Sequence, residues 1–124
     1  MKLLSVALVT VAITASLAIS KPAYADAALV ESICNFVAAD DKNRLRKKLR
    51  GAKVKLRNIY DGVTCDGLNL LQFAMAKGSS NVGKYIVKRL PTTKLSNGQD
   101  LKWANDNGHG ASDIVAAIKE RAGG

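Results

Sequence analysis

Nine lysines and arginines fall within residues 42–57, KNRLRKKLRGAKVKLR, with no aspartate or glutamate among them. Cations at this density set up a positive field that attracts phosphate or carboxylate groups. In Arg44-Leu45-Arg46-Lys47-Lys48-Leu49-Arg50 the two leucines are four residues apart, the spacing of one helix face, so every other side chain points outward. Lys53, Lys55 and Arg57 continue the run. Arg44, Arg46, Lys47, Lys48, Arg50, Lys53, Lys55 and Arg57 are therefore the candidate anion- or partner-binding residues. The competing reading is a solvated face that only keeps the chain soluble.

Other reactive residue types carry weaker signals. Cys34 and Cys65 lack a C-x-x-C spacing and a neighbouring histidine, which argues against redox or nucleophilic work. His109, the one histidine, sits in the turn Asn107-Gly108-His109-Gly110 with no carboxylate placed beside it. Asp40-Asp41 stands where a second helix begins, and carboxylates there cap the helix and complement its dipole. No zinc-ligand spacing, glycine-rich phosphate loop or catalytic triad appears. The expectation is a non-enzymatic protein with no catalytic residue, cofactor or metal.

The N-terminus reads as a targeting segment. Lys2 precedes an uncharged stretch over residues 3–19, and Ala23-Tyr24-Ala25 forms a small-residue cleavage site before Asp26. Residues 1–25 are expected to be a cleaved signal peptide, with a retained anchor as the alternative because the apolar run nearly suffices to span a bilayer. A single small domain over 26–124 remains, periplasmic or secreted, with no transmembrane anchor after cleavage, and it is expected to be a monomer. It keeps 17 basic side chains against 10 acidic ones. Two cysteines in a small exported domain favour a Cys34–Cys65 disulfide over two buried thiols. Nucleic acid is a poor partner, since the compartment lacks it and no aromatics interleave the charges.

The elements that position these residues repeat along the chain. Asn69 is placed to cap a helix from about Leu70 to Ala76, which Gly78 ends. Asn81 is placed to cap a second helix that buries Val82 and Ile86 and stops before Pro91. Thirty-seven residues upstream, Ile33 to Ala38 falls on Leu70 to Met75, and Leu45 and Leu49 fall on Val82 and Ile86. Thirty residues downstream, Leu101, Trp103, Ala104 and Gly108 fall on Leu71, Phe73, Ala74 and Gly78. Ser112 then caps a last helix with Ile114 and Ile118 inward. Three helical hairpins follow, with Phe36, Phe73 and Trp103 at one equivalent core position.

The period and residues resemble ankyrin repeats. Gly67-Leu68-Asn69-Leu70-Leu71-Gln72-Phe73-Ala74 is similar to G-x-T-P-L-H-x-A, with Asn69-Leu70 in place of Thr-Pro and Gln72 in place of His. Gly51-Ala52-Lys53-Val54-Lys55 is similar to the G-A-D-V-N after an ankyrin second helix. In ankyrin-like units Gly-His is common at the turn that holds His109, which implies a structural role for it. Cys65-Asp66-Gly67 also resembles a Cys-Asn-Gly motif in a domain-of-unknown-function family of small exported bacterial proteins.

Between the first two units, Lys53-Val54-Lys55-Leu56-Arg57 alternates charged and apolar residues with the period of a strand. Asp61-Gly62 is a hairpin dipeptide, and Val63-Thr64-Cys65 offers a returning strand. The predicted fold is mainly α: three stacked ankyrin-like helical hairpins with a short β-hairpin finger between the first and second. The predicted function is an exported binding module that recognises a protein or an anionic cell-envelope component through the basic face. A structural or stress-related envelope protein is the alternative, and an enzyme of unknown type the least favoured.

Overall fold

The computed structural model describes residues 26–123, so the expected signal peptide lies outside the described residues. Helix α1 (Ala27–Ala38) starts where the Asp26 carboxylate accepts the Leu29 N–H at 2.8 Å. Helix α2 (Lys42–Ala52) starts at Asp41, whose carboxylate accepts the Arg44 N–H at 3.0 Å. After a short helix α3 (Leu56–Ile59) and a 3-10 turn (Tyr60–Gly62), helix α4 (Leu70–Lys77) opens on a capping box. In it Asn69 accepts from the Gln72 N–H and Gln72 accepts from the Asn69 N–H, satisfying two otherwise unpaired donors. Gly78, in the left-handed region, ends α4, and α5 (Ser80–Arg89) returns. Helices α6 (Thr92–Leu95), α7 (Gln99–Asp106) and α8 (Asp113–Arg121) complete the chain, with the Ser112 hydroxyl at the start of α8.

The helices pack in two rows. Helix α4 touches α1 on one side and α7 on the other, while α5 touches α2 and α8 in the same way. Pairs α1/α2, α4/α5 and α7/α8 close the space between the rows. The core comes from the positions that the four-residue spacing marks as inward: Leu45 and Leu49, Val82 and Ile86, Ile114 and Ile118 are all buried. Contact between α5 and α8 is close enough that a Cβ on Gly83 would lie 2.3 Å from Ile114 Cδ1.

The mainly helical class stands, whereas the β-hairpin finger does not: among the described residues no strand forms. Lys53 takes a left-handed conformation that ends α2, and the chain then coils as α3. Leu56, Ile59 and Tyr60 have helical spacing and bury one face, with α3 lying against α5. A two-stranded ribbon with neither a third strand nor a covering helix has no such gain. The hairpin-type turn does occur, at the other Asp-Gly dipeptide. Cys65 and Leu68 exchange both backbone hydrogen bonds (2.8 and 2.9 Å), and Asp66 and Gly67 between them both have positive φ. That is the geometry for which Asp-Gly is favoured.

The ankyrin form of the array is not supported. An ankyrin unit couples two helices to a β-turn, whereas the linkers between pairs here wind into α3 with its 3-10 turn and into α6. The aromatic register also needs correction. Phe73 is buried, but Phe36 and Trp103 are only half-buried. They belong to the outer helices, which have a neighbouring pair on one side only.

Candidate functional site

The second helix of each pair lines one cationic groove. Helix α2 presents Arg46 and Arg50, and the segment after it adds Lys55 and Arg57. Helix α5 faces them with Lys88 and Arg89, and Arg121 reaches in from α8. Leu49, Val54, Leu56, Tyr85 and Leu90 make the floor of this hollow of about 500 Å³. An adjoining hollow of about 360 Å³ shares Arg46, Tyr85, Lys88 and Arg89 with it and adds Lys42 and Lys84. Among the described residues no carboxylate lines either hollow, and none of these cations forms an ion pair.

Two of the guanidinium groups are held in place. Arg121 donates from Nε to the Val87 carbonyl at 3.1 Å and from Nη2 to the Leu90 carbonyl at 3.0 Å. Val87 lies in the last turn of α5 and Leu90 directly follows that helix, where carbonyls have no onward turn to accept from. Arg89 lies over the Tyr85 ring, its Cζ 5.2 Å from the ring centroid, a cation–π geometry. A fork fixed before binding loses less entropy when an anion arrives.

Four of the eight sequence-predicted residues, Arg46, Arg50, Lys55 and Arg57, therefore line the groove. Arg44, Lys47, Lys48 and Lys53 are exposed outside its lining, and Arg44 approaches Asp41 at 3.4 Å. The eight candidates did not include Lys42, Lys84, Lys88, Arg89 or Arg121. The signal was present. If successive second helices lie side by side, the i, i+4 pair Lys84/Lys88 shares a face with Arg46/Arg50.

The remaining candidates have structural surroundings. Cys34 and Cys65 form a disulfide with their Cα atoms 5.7 Å apart, tying the Asp66-Gly67 turn to α1. Trp103 and His109 stack with centroids 5.5 Å apart. Among the described residues no group of three histidine, cysteine or acidic side chains is placed to hold a metal, and no helix is long and apolar enough to cross a membrane.

A smaller polar cavity of about 150 Å³ lies between Tyr60, Asn69, Lys94 and Asp100. The buried Asp100 carboxylate accepts from Asn69 Nδ2 at 2.8 Å and from Gln72 Nε2 at 3.2 Å, which joins α7 to the capping box of α4. Burial raises the Tyr60 phenol well above its ordinary pKa, and the nearby Asp100 carboxylate adds to the rise. The Leu71 backbone lies near enough to oppose this, but among the described residues the Tyr60 Oη meets no partner at hydrogen-bond geometry.

A family model described as Protein of unknown function (DUF3718) matches residues 33–97, just over half of the chain. The chain belongs to this family. No curated protein and no solved structure matches it. The DUF3718 span takes in both cysteines, the Asp66-Gly67 turn and all of α2 through α6. It also contains every groove cation except Arg121. Helices α7 and α8 lie beyond it.

Proposed function

We propose that this DUF3718 protein is an exported, non-enzymatic binding module that holds an anionic component of the cell envelope, or an acidic protein, in the cationic groove. The observation that carries the reading is the convergence of cations from α2, α5 and α8 on one trough that, among the described residues, no carboxylate lines. Like charges brought together repel one another, and a solvated face would gain nothing from gathering them in a concavity. A bound anion relieves that repulsion. The disulfide favours an oxidising compartment.

The experiment is co-sedimentation of the disulfide-bonded protein with envelope fragments across a salt series. Binding should weaken steeply with salt, because exposed charges act over a Debye length of about 10 Å at 0.1 M and about 3 Å at 1 M. Salt-independent retention, or none at low salt, would count against the groove.

A further inference from the structure

From the donor and acceptor inventory of the groove, we infer that its ligand presents phosphoryl oxygens in a row, as a linear oligophosphate does. This inference rests on the binding reading above and narrows it. The larger hollow offers hydrogen-bond donors almost exclusively: its polar side chains are arginines, lysines and one tyrosine, Tyr85. The two carbonyls at the end of α5 that would add acceptors are already taken by Arg121. In the adjoining hollow the one side-chain amide is Asn81, whose Nδ2 donates to Asp40 at 3.1 Å, so its amide oxygen is the one amide acceptor among many cationic donors.

A ligand that brings its own donors finds few acceptors on this surface and must turn those donors to solvent, so each of them forgoes a contact that an acceptor oxygen would make. A peptide carries a backbone N–H at nearly every residue, and an acidic glycan carries hydroxyls. A condensed phosphate at neutral pH carries acceptor oxygens along its whole length. Arginine forks suit those oxygens because they bind two at a time. Shape agrees with this choice. The two hollows share walls and form a trough, and a volume of about 500 Å³ is that of a small-ligand cleft. A docked protein would instead need a contact area of roughly 800 Å² on each partner.

Two sources supply such oxygens: soluble oligophosphate, and adjacent phosphomonoester headgroups side by side at a lipid surface. Titration calorimetry of the disulfide-bonded protein with tripolyphosphate tests the shared chemistry. Vesicles containing phosphatidic acid, compared with vesicles of neutral lipid, test the second source. Short poly-glutamate of matched charge and single-stranded oligonucleotide are the competing polymers. Tripolyphosphate should bind more tightly than poly-glutamate and the oligonucleotide, and longer chains should bind more tightly still. R50Q and R57Q should each raise the Kd about tenfold, as loss of a charge-assisted contact does, while R44Q and K47Q should leave it unchanged.

Near-ultraviolet circular dichroism of each variant shows whether it keeps the parent fold, and R50K retains the charge if R50Q does not fold. A lysine at position 50 should bind more weakly than arginine because it lacks the fork. Equal affinity for poly-glutamate and tripolyphosphate would overturn the phosphate inference and leave the anion groove intact. Tighter binding of the oligonucleotide would overturn it in favour of a phosphodiester polymer. No phosphate binding, with envelope retention still lost in groove variants, would also overturn it. Loss of that groove dependence would instead bring down the binding reading itself.

Discussion

Asp40 Oδ1 accepts the backbone N–H of Val82 at 2.8 Å, so the loop that joins the two helices of the first pair, α1 and α2, caps the second helix of the next pair. Asp40 Oδ2 accepts from the Asn81 side chain at 3.1 Å as well. The cap in α5's own chain position is Ser79, which makes no side-chain cap bond. Neighbouring Asp41 caps α2 locally, so adjacent carboxylates serve two different helices.

Asp40→Ala should therefore destabilise the fold by about 1–2 kcal/mol, the range for loss of an N-cap. Asp40 has φ 56°, which alanine tolerates poorly, so the alanine variant combines lost capping with backbone strain. Asp40→Asn keeps an accepting oxygen and tolerates the left-handed conformation, and should stay within about 0.5 kcal/mol of the parent. Urea denaturation of these variants and of Asp40→Gly separates the contributions, since glycine tolerates the left-handed conformation but lacks the cap. A Gly variant as stable as the Asn variant would show that the cap contributes little.

Gly83→Ala should cost about 1–3 kcal/mol, as overpacking of a tight core does. The added Cβ has no room beside Ile114, which is itself fully buried, so α5 and α8 must part. Shortening Ile114 to Val in the same chain should recover part of the loss. A double-mutant cycle that gives simple additivity would contradict the contact.

The disulfide closes a loop with a sequence separation of 31. On the chain-entropy model it stabilises by about 3–4 kcal/mol. The Cys34→Ser/Cys65→Ser double variant should unfold at correspondingly lower urea, and thiol titration of the unfolded, unreduced parent should find no free thiol. Two reactive thiols per chain would remove both the bridge and its support for export.

Tyr60 gives the stability a pH dependence on the alkaline side. An unfolded phenol ionises near pH 10, while the buried one stays protonated well above that. Between those values the folded state binds the extra proton. Stability is therefore full below about pH 10 and falls as pH rises, by up to about 1.4 kcal/mol per unit. Tyr60→Phe should remove this limb without loss at neutral pH, since the Oη has no hydrogen-bond partner to forfeit. Identical falls in both proteins between about pH 9 and 11 would show that the phenol is not the titrating group.

The sequence revealed elements wherever a single helix carries its own start, stop and apolar spacing. Asn69 with Gln72 and Gly78 delimit α4, and Leu45/Leu49 fix the inward face of α2. It misled where two equally good local signals competed. Both Asp-Gly dipeptides suit a tight turn, and only tertiary placement, through the Cys65 tether and the burial of Leu56 and Ile59, selects Asp66-Gly67. The cationic run was legible because it is contiguous. The groove was half hidden because Lys84, Lys88, Arg89 and Arg121 are separated along the chain from Arg46 and Arg50 and meet them only through packing of the second helices. Asp40's role was illegible for the same reason, since its partner lies 42 residues away.

The central claim is that the groove, and not charge density alone, binds the anionic partner. Two triple reversals of equal charge test it directly in the envelope co-sedimentation: Arg46, Arg50 and Lys88 to Glu within the groove, and Arg44, Lys47 and Lys48 to Glu outside it. All six side chains are exposed, so each reversal should change stability by less than about 0.5 kcal/mol. The groove reversal should abolish sedimentation at low salt, while the outer reversal retains it with a modest loss from the weaker long-range field. Equal loss in both variants, or equal retention, would contradict the groove and leave a solvated basic face.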